Sequence, residues 1–136
     1  MAKKLNERQS KWQGSKWITR ERRLAIYARD GFACCYCGSA VEDGAVLSLD
    51  HLRPHCQGGD GSSTNLVTCC KKCNSARGKR SVAVFAKAVA TYLDIDYRDI
   101  LRHVRNCSRR KVNIAAAREL IARRGSYSAA LAAKRA

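Results

Sequence analysis

The sequence predicts one small α+β domain: a metal-stapled core with two short strands, an N-terminal helix and C-terminal helices. Three observations carry this expectation. Two Cys-x-x-Cys pairs, Cys34/Cys37 and Cys70/Cys73, frame a stretch that holds most of the glycine; two strand-like runs lie inside that stretch; sustained helical periodicity lies outside it. At 136 residues the chain is the size of one ordinary domain, which excludes a multidomain enzyme with its own cofactor domain. Hydrophobic residues at 46% and charged residues at 28% supply a modest core and argue against a wholly disordered chain.

Residues 1–18 hold Lys3, Lys4, Arg8, Lys11 and Lys16 with Trp12 and Trp17 and show no period. They read as a basic flexible arm, ordered only near Trp17. From Thr19 to Asp30 a short helix is expected, capped by Thr19, with Glu21 in its first turn, Leu24, Tyr27 and Ala28 on one face, and Asp30-Gly31 as its stop. Strands are expected around Val46–Asp50 and Leu66–Cys69. From Asn74 onward the pattern is helical: Val82, Phe85, Val89 and Leu93 form one stripe, Ile100, Leu101 and Val104 a second, and Ile114, Ala117 and Ile121 a third that Gly125 ends. The resulting division is an arm at 1–18, a core at 19–80 and a basic helical extension at 81–136, which completes the core and presents cations.

The charge is lopsided. Lys and Arg number 27 against 11 Asp and Glu, a formal +16 with a pI near 10.0. Residues 1–23 hold 8 basic and 2 acidic groups, residues 24–97 hold 8 and 7, and residues 98–136 hold 11 and 2, so the excess sits at the two ends. Such a balance is the footprint of a protein that meets a polyanion, and nucleic acid is the expected partner. The N-terminus shows no secretory signal and no apolar run spans a membrane, so a cytoplasmic, intracellular protein is expected and its cysteines should be reduced.

In that setting clustered cysteines hold metal more often than each other. Cys34, Cys37, Cys70 and Cys73 make two knuckles that together offer four thiolates to one tetrahedral Zn²⁺. The neighbouring Cys35 and Cys69 lack knuckle spacing and read as spare; Cys56 and Cys107 read as incidental thiols, and His103 as structural. A thioredoxin-like redox motif would need a single pair in a βαβ setting. The 32 residues between Cys37 and Cys70 exceed the roughly 15–20 of a compact zinc ribbon, so something is inserted between the knuckles.

That insert carries the chemistry. Leu49-Asp50-His51, Pro54, Gly58-Gly59 and Asn65-Leu66-Val67, followed by Cys70-Lys-Lys-Cys73-Asn74 and Arg77-Gly78-Lys79, resemble the His-Asn-His (HNH) endonucleases, in the branch whose ββα-metal motif is framed by two Cys-x-x-Cys pairs. The lead-in Arg29-Asp30-Gly31-Phe32-Ala-Cys34 is similar to the same branch, and the resemblance covers about residues 20–80. It implies His51 as general base, Asn65 as the residue that orients the loop, and Asp50 and Asn74 as ligands of a catalytic ion. Asn74 stands where the family name has its last His, an His-Asn-Asn version; its harder amide oxygen favours Mg²⁺ or Mn²⁺.

The residue types suit phosphodiester hydrolysis on their own terms, because that reaction needs an activated water, an ion to neutralise phosphate charge and a frame to align them. Asp50 and His51 are consecutive at a strand end, so their side chains diverge, one toward an ion and one toward the attacking water. Asn74 is expected at the start of a helix with Arg77 at i+3 on the same face, where Arg77, Lys79 or Arg80 clamps the scissile phosphate. His55 adds a ligand or a phosphate contact, or is a solvated loop residue.

The leading expectation is therefore a metal-dependent endonuclease acting on double-stranded DNA, and the alternative is a zinc-stapled nucleic-acid-binding module without catalysis. Zinc deaminases are set aside because they need His-x-Glu and a proline before the cysteine pair, and the sole proline is Pro54. No reader module is evident, so cutting should be weakly specific or nonspecific. Small nucleases of this kind occur in phages and mobile elements, beside a packaging or recombination enzyme, and a double-strand break needs a homodimer or two sequential nicks.

Overall fold

A computed structural model describes residues 17–54 and 58–135; the arm up to residue 16, His55 and Cys56 lie outside the described residues. The chain forms α1 (Arg20–Arg29), β1 (Leu47–His51), β2 (Leu66–Cys70), α2 (Lys71–Arg77), α3 (Val82–Leu93), α4 (Tyr97–Arg109), α5 (Ile114–Arg124) and α6 (Tyr127–Ala132). It is a small α+β fold around one antiparallel ribbon, in which Leu47 pairs with Cys70 and His51 with Leu66.

α1 starts where its cap is written: Thr19 Oγ1 accepts from Arg22 N at 3.2 Å, and Asp30 closes the helix. Its burial differs from the single face expected. Ala28 is exposed, while Leu24, Ala25, Ile26 and Tyr27 are all buried, because the helix is packed on two sides. Ile26 and Tyr27 pack with Leu49 and Leu66 of the ribbon, whereas Leu24 and Ala25 pack with Ala117 of α5 and Ala130 of α6. Four consecutive buried residues need partners all round a helix, and the C-terminal helices supply the second set.

β2 is buried along all five residues, and outward backbone groups of Leu66 and Thr68 are answered by two side chains and one backbone amide. Asp30 Oδ2 accepts from Thr68 N at 2.8 Å, Cys35 N donates to Thr68 O at 2.9 Å, and Arg29 Nη2 donates to Leu66 O at 2.6 Å. Arg29 and Asp30 themselves pair at 2.7 Å with side chains 1% and 0% exposed. This buried couple fastens α1 to the ribbon.

Cys70 ends β2 and also caps α2, its Sγ accepting from Cys73 N at 3.4 Å. The helix therefore begins at Lys71, three residues before the start expected at Asn74. It stops at Gly78, whose φ of +54° is costly for residues with a Cβ. α3 and α4 then lay Phe85, Val89, Ile100 and Val104 over the knuckles and Val67 in one cluster. α6 lies beyond the last stop read in the sequence; Ser126 Oγ caps it by accepting from Ala129 N at 3.0 Å. No helix among the described residues is long and apolar enough to cross a membrane.

Replacing Asp30 by Ala leaves the Arg29 guanidinium buried without its carboxylate and Thr68 N without an acceptor. The expected loss of unfolding free energy is about 3–5 kcal/mol in a urea titration; a loss under about 1 kcal/mol would show that this couple does not fasten the helix.

Candidate active site

Strand alternation puts Ser48 and Asp50 on one face of β1 and Leu49 and His51 on the other. The first face meets α2. Arg77 Nη1 donates to Asp50 Oδ2 at 2.6 Å, and Asn74 Nδ2 donates to Ser48 Oγ at 3.1 Å. His51 lies against Trp17, with ring centroids 4.8 Å apart and planes at 39°. At the end of the strand the two faces converge: Asp50, His51 and Asn74 line one cavity of about 500 Å³, with Ser48, Lys71, Arg23 and Trp17 also in its wall.

Asp50 is 6% exposed. Burial pushes its carboxyl above the usual carboxylate range, opposed by the Tyr36 hydroxyl, which donates to Oδ2 at 2.6 Å, and by the Arg77 guanidinium. Both of these bonds fall on Oδ2.

Arg77 lines the cavity, yet its guanidinium is committed inward rather than presented to a phosphate. It is 3% exposed and donates to Asp50, to the carbonyls of His51 and Leu52 at 2.8 Å each, and to the carbonyl of Arg80 at 3.1 Å. A buried carboxylate demands a compensating charge, and the guanidinium fork meets that demand while tying the end of β1 to α2. Lys79 and Arg80 are exposed, and Arg80 Nη2 donates to Ala76 O at 2.7 Å.

Asn65 does not line the cavity. Its Oδ1 accepts from Arg53 N at 2.9 Å, and its Nδ2 donates to Arg53 O at 3.1 Å and Asp60 O at 2.7 Å. The amide thus closes the base of the loop between the strands, where Leu52 N also donates to Asn65 O at 2.8 Å. In the same loop any side chain at position 59 would collide with the Arg53 carbonyl, so Gly59 is required for the chain to pass.

The Cys34, Cys37, Cys70 and Cys73 sulfurs lie within 4.8 Å of one another, and Cys37 Sγ is 3.7 Å from Cys70 Sγ. Four thiolates at about 2.3 Å from a central ion stand about 3.8 Å apart, so the cluster fits one tetrahedral metal ion. The Cys73 thiol and backbone N–H groups draw the Cys34 thiol down to about 5 against the effect of burial. Cys69 stays out of the quartet, its Sγ 3.4 Å from Ser48 Oγ. Cys35 stays out as well, but it is gathered with His103 and Cys107 in a second group that the sequence reading did not foresee.

Other supporting residues were also missed. Ser48 could have been found two places before Asp50, on the same strand face. The Tyr36 bond spans 14 residues and the Trp17–His51 contact joins distant segments, so neither leaves a local signal.

Residues 34–89 match the family model described as HNH endonuclease. Among curated proteins, the CRISPR-associated endonuclease Cas9 of Corynebacterium diphtheriae is 31% identical over 88 residues, covering 64% of this chain and 8% of the relative. That of Actinomyces naeslundii is 37% identical over 68 residues, covering 48% of this chain and 6% of the relative. The chain spans less than a tenth of the length of these curated relatives.

Because Arg77 neutralises a buried carboxylate, Arg77→Met should lower the unfolding free energy by about 3–5 kcal/mol. A urea titration reads this directly. An unchanged midpoint would mean that Asp50 does not depend on its partner.

Proposed function

We propose, from the match of residues 34–89 to the HNH endonuclease family model, that the protein is a metal-dependent endonuclease that hydrolyses DNA phosphodiester bonds, with His51 as general base. The observation that carries the reading is the single cavity shared by a carboxylate, an imidazole and an amide at the strand–helix junction. In this reading His51 takes the proton of the attacking water, and the Trp17 ring limits the positions the imidazole can adopt.

Asp50 and Asn74 are the proposed ligands of the catalytic ion. Asp50 Oδ2 is occupied by Tyr36 and Arg77, which leaves Oδ1 as the ligand atom. Asn74 uses its Nδ2 on Ser48, which leaves its carbonyl oxygen as the second. Two oxygen donors suit a hard cation, Mg²⁺ or Mn²⁺. Bound there, the ion would neutralise charge on the phosphate and the leaving oxygen.

Tyr36, Arg77 and Asn65 are positioning residues in this scheme. Lys71 and Arg23, in the cavity wall, take the phosphate-facing part first expected of Arg77. The four-sulfur cluster is read as a structural Zn²⁺ site that fixes the first knuckle to the start of α2. The excess of cations brings double-stranded DNA to the cavity by its backbone, which favours weakly specific or nonspecific cutting.

Purified protein with Mg²⁺ or Mn²⁺ should nick or linearise supercoiled plasmid. His51→Ala should slow this by at least about 100-fold with zinc content and DNA affinity unchanged. Undiminished cleavage would reject His51 as the base, and binding without any cleavage in the parent protein would favour a non-catalytic module. Lys71→Ala should weaken DNA binding uniformly across sequences and reduce the salt slope of the affinity by about 1, read by fluorescence anisotropy over a salt series. An unaltered slope would remove Lys71 from the phosphate contacts.

A further inference from the structure

Outside the knuckle quartet, Cys35, His103 and Cys107 bring their ligand atoms within 4.8 Å of one another. We propose that Cys35 Sγ, Cys107 Sγ and the His103 imidazole form a second zinc site, which fastens α4 to the first knuckle.

His103 and Cys107 stand at i and i+4 on α4 and therefore share one helix face. Their Nε2 and Sγ atoms are 3.6 Å apart. An imidazole nitrogen at about 2.05 Å and a thiolate at about 2.3 Å from a tetrahedral ion stand about 3.6 Å apart. The third donor comes from another part of the fold. Cys35 is held by its own N–H on Thr68 O at 2.9 Å, so its sulfur is positioned by β2 rather than by the helix.

Both thiols are buried, at 3% and 0% exposure for Cys35 and Cys107, whereas His103 is exposed. The fourth position of a tetrahedral ion would thus fall toward the solvent side, where water can complete it. Asp30, whose charge acts on both thiols, does not compete for that place; its oxygens are taken by Arg29 and by Thr68 N. Two thiolates and an imidazole are a soft donor set that favours zinc over the hard cation proposed for Asp50 and Asn74. Buried cysteines also occur simply as small apolar residues, but that role gives no reason for an imidazole to meet the sulfurs at ligand spacing.

The inference does not rest on the nuclease reading, because its readout is metal content and not cleavage. The full chain, purified under reducing conditions, loaded with zinc and desalted, should carry two zinc ions per chain by mass spectrometry of the metal. His103→Ala and Cys107→Ser should each carry one, and Cys70→Ser, which breaks the quartet, should also lose one. His103 is exposed, so His103→Ala tests the site without opening the core. In the parent protein, cobalt(II) should fill two sites with distinct spectra, one with four thiolates and one with two thiolates and an imidazole. One zinc per chain, unchanged by His103→Ala, would overturn the proposal. So would a Cys35–Cys107 disulfide that survives the reducing purification, read as an intact mass lower by two hydrogens and mapped to those two residues.

Discussion

The negative charge of Asp50 is enclosed at the end of β1 and must be answered from within the protein. Arg77 answers it, and in doing so settles where α2 lies, because the same guanidinium also holds the carbonyls of His51, Leu52 and Arg80. Tyr36 adds the first knuckle to the arrangement through its hydroxyl. Three segments that are far apart in sequence are thus referred to one carboxylate. The sulfur quartet acts at the opposite end of the ribbon, where Cys70 leaves β2 and opens α2. A helix of seven residues is too short to hold its own orientation in water, and these two attachments supply what its length does not.

Much of the fold was legible because its signals are local. Thr19 caps where a cap was read, both strands fall within a residue or two of their expected bounds, and Gly125 ends α5. What escaped was set by tertiary packing. The burial of α1 on two sides depends on α5 and α6, nearly a hundred residues away, and a single-face pattern cannot report it. The start of α2 was misplaced because Cys70 serves at once as strand residue, helix cap and candidate ligand, and only one of these roles shows in its spacing.

The candidate site was legible to a different degree. Knuckle spacing selected the four cysteines whose sulfurs gather, and a motif pointed to three side chains that line one cavity. Arg77 was read from its helix position, three residues after Asn74, as one of three cations to clamp the scissile phosphate; its burial follows from a carboxylate on another element, which no helical period encodes. Cys35, His103 and Cys107 were passed over for the same reason. Their proximity joins a knuckle to a helix roughly seventy residues later, and only the i, i+4 half of that group can be seen in the chain itself.

A ribbon of two strands ordinarily leaves an outer row of backbone groups that a strand from another molecule can zip onto. Along β2 that row is spoken for: the Asp30 carboxylate, the Cys35 amide and the Arg29 guanidinium occupy the Thr68 and Leu66 positions where an intruding strand would have to bond. The outer margin of β2 is therefore closed to strand exchange and fibril-like stacking, even though its sequence, Leu-Val-Thr-Cys-Cys, is the kind of apolar run that invites them.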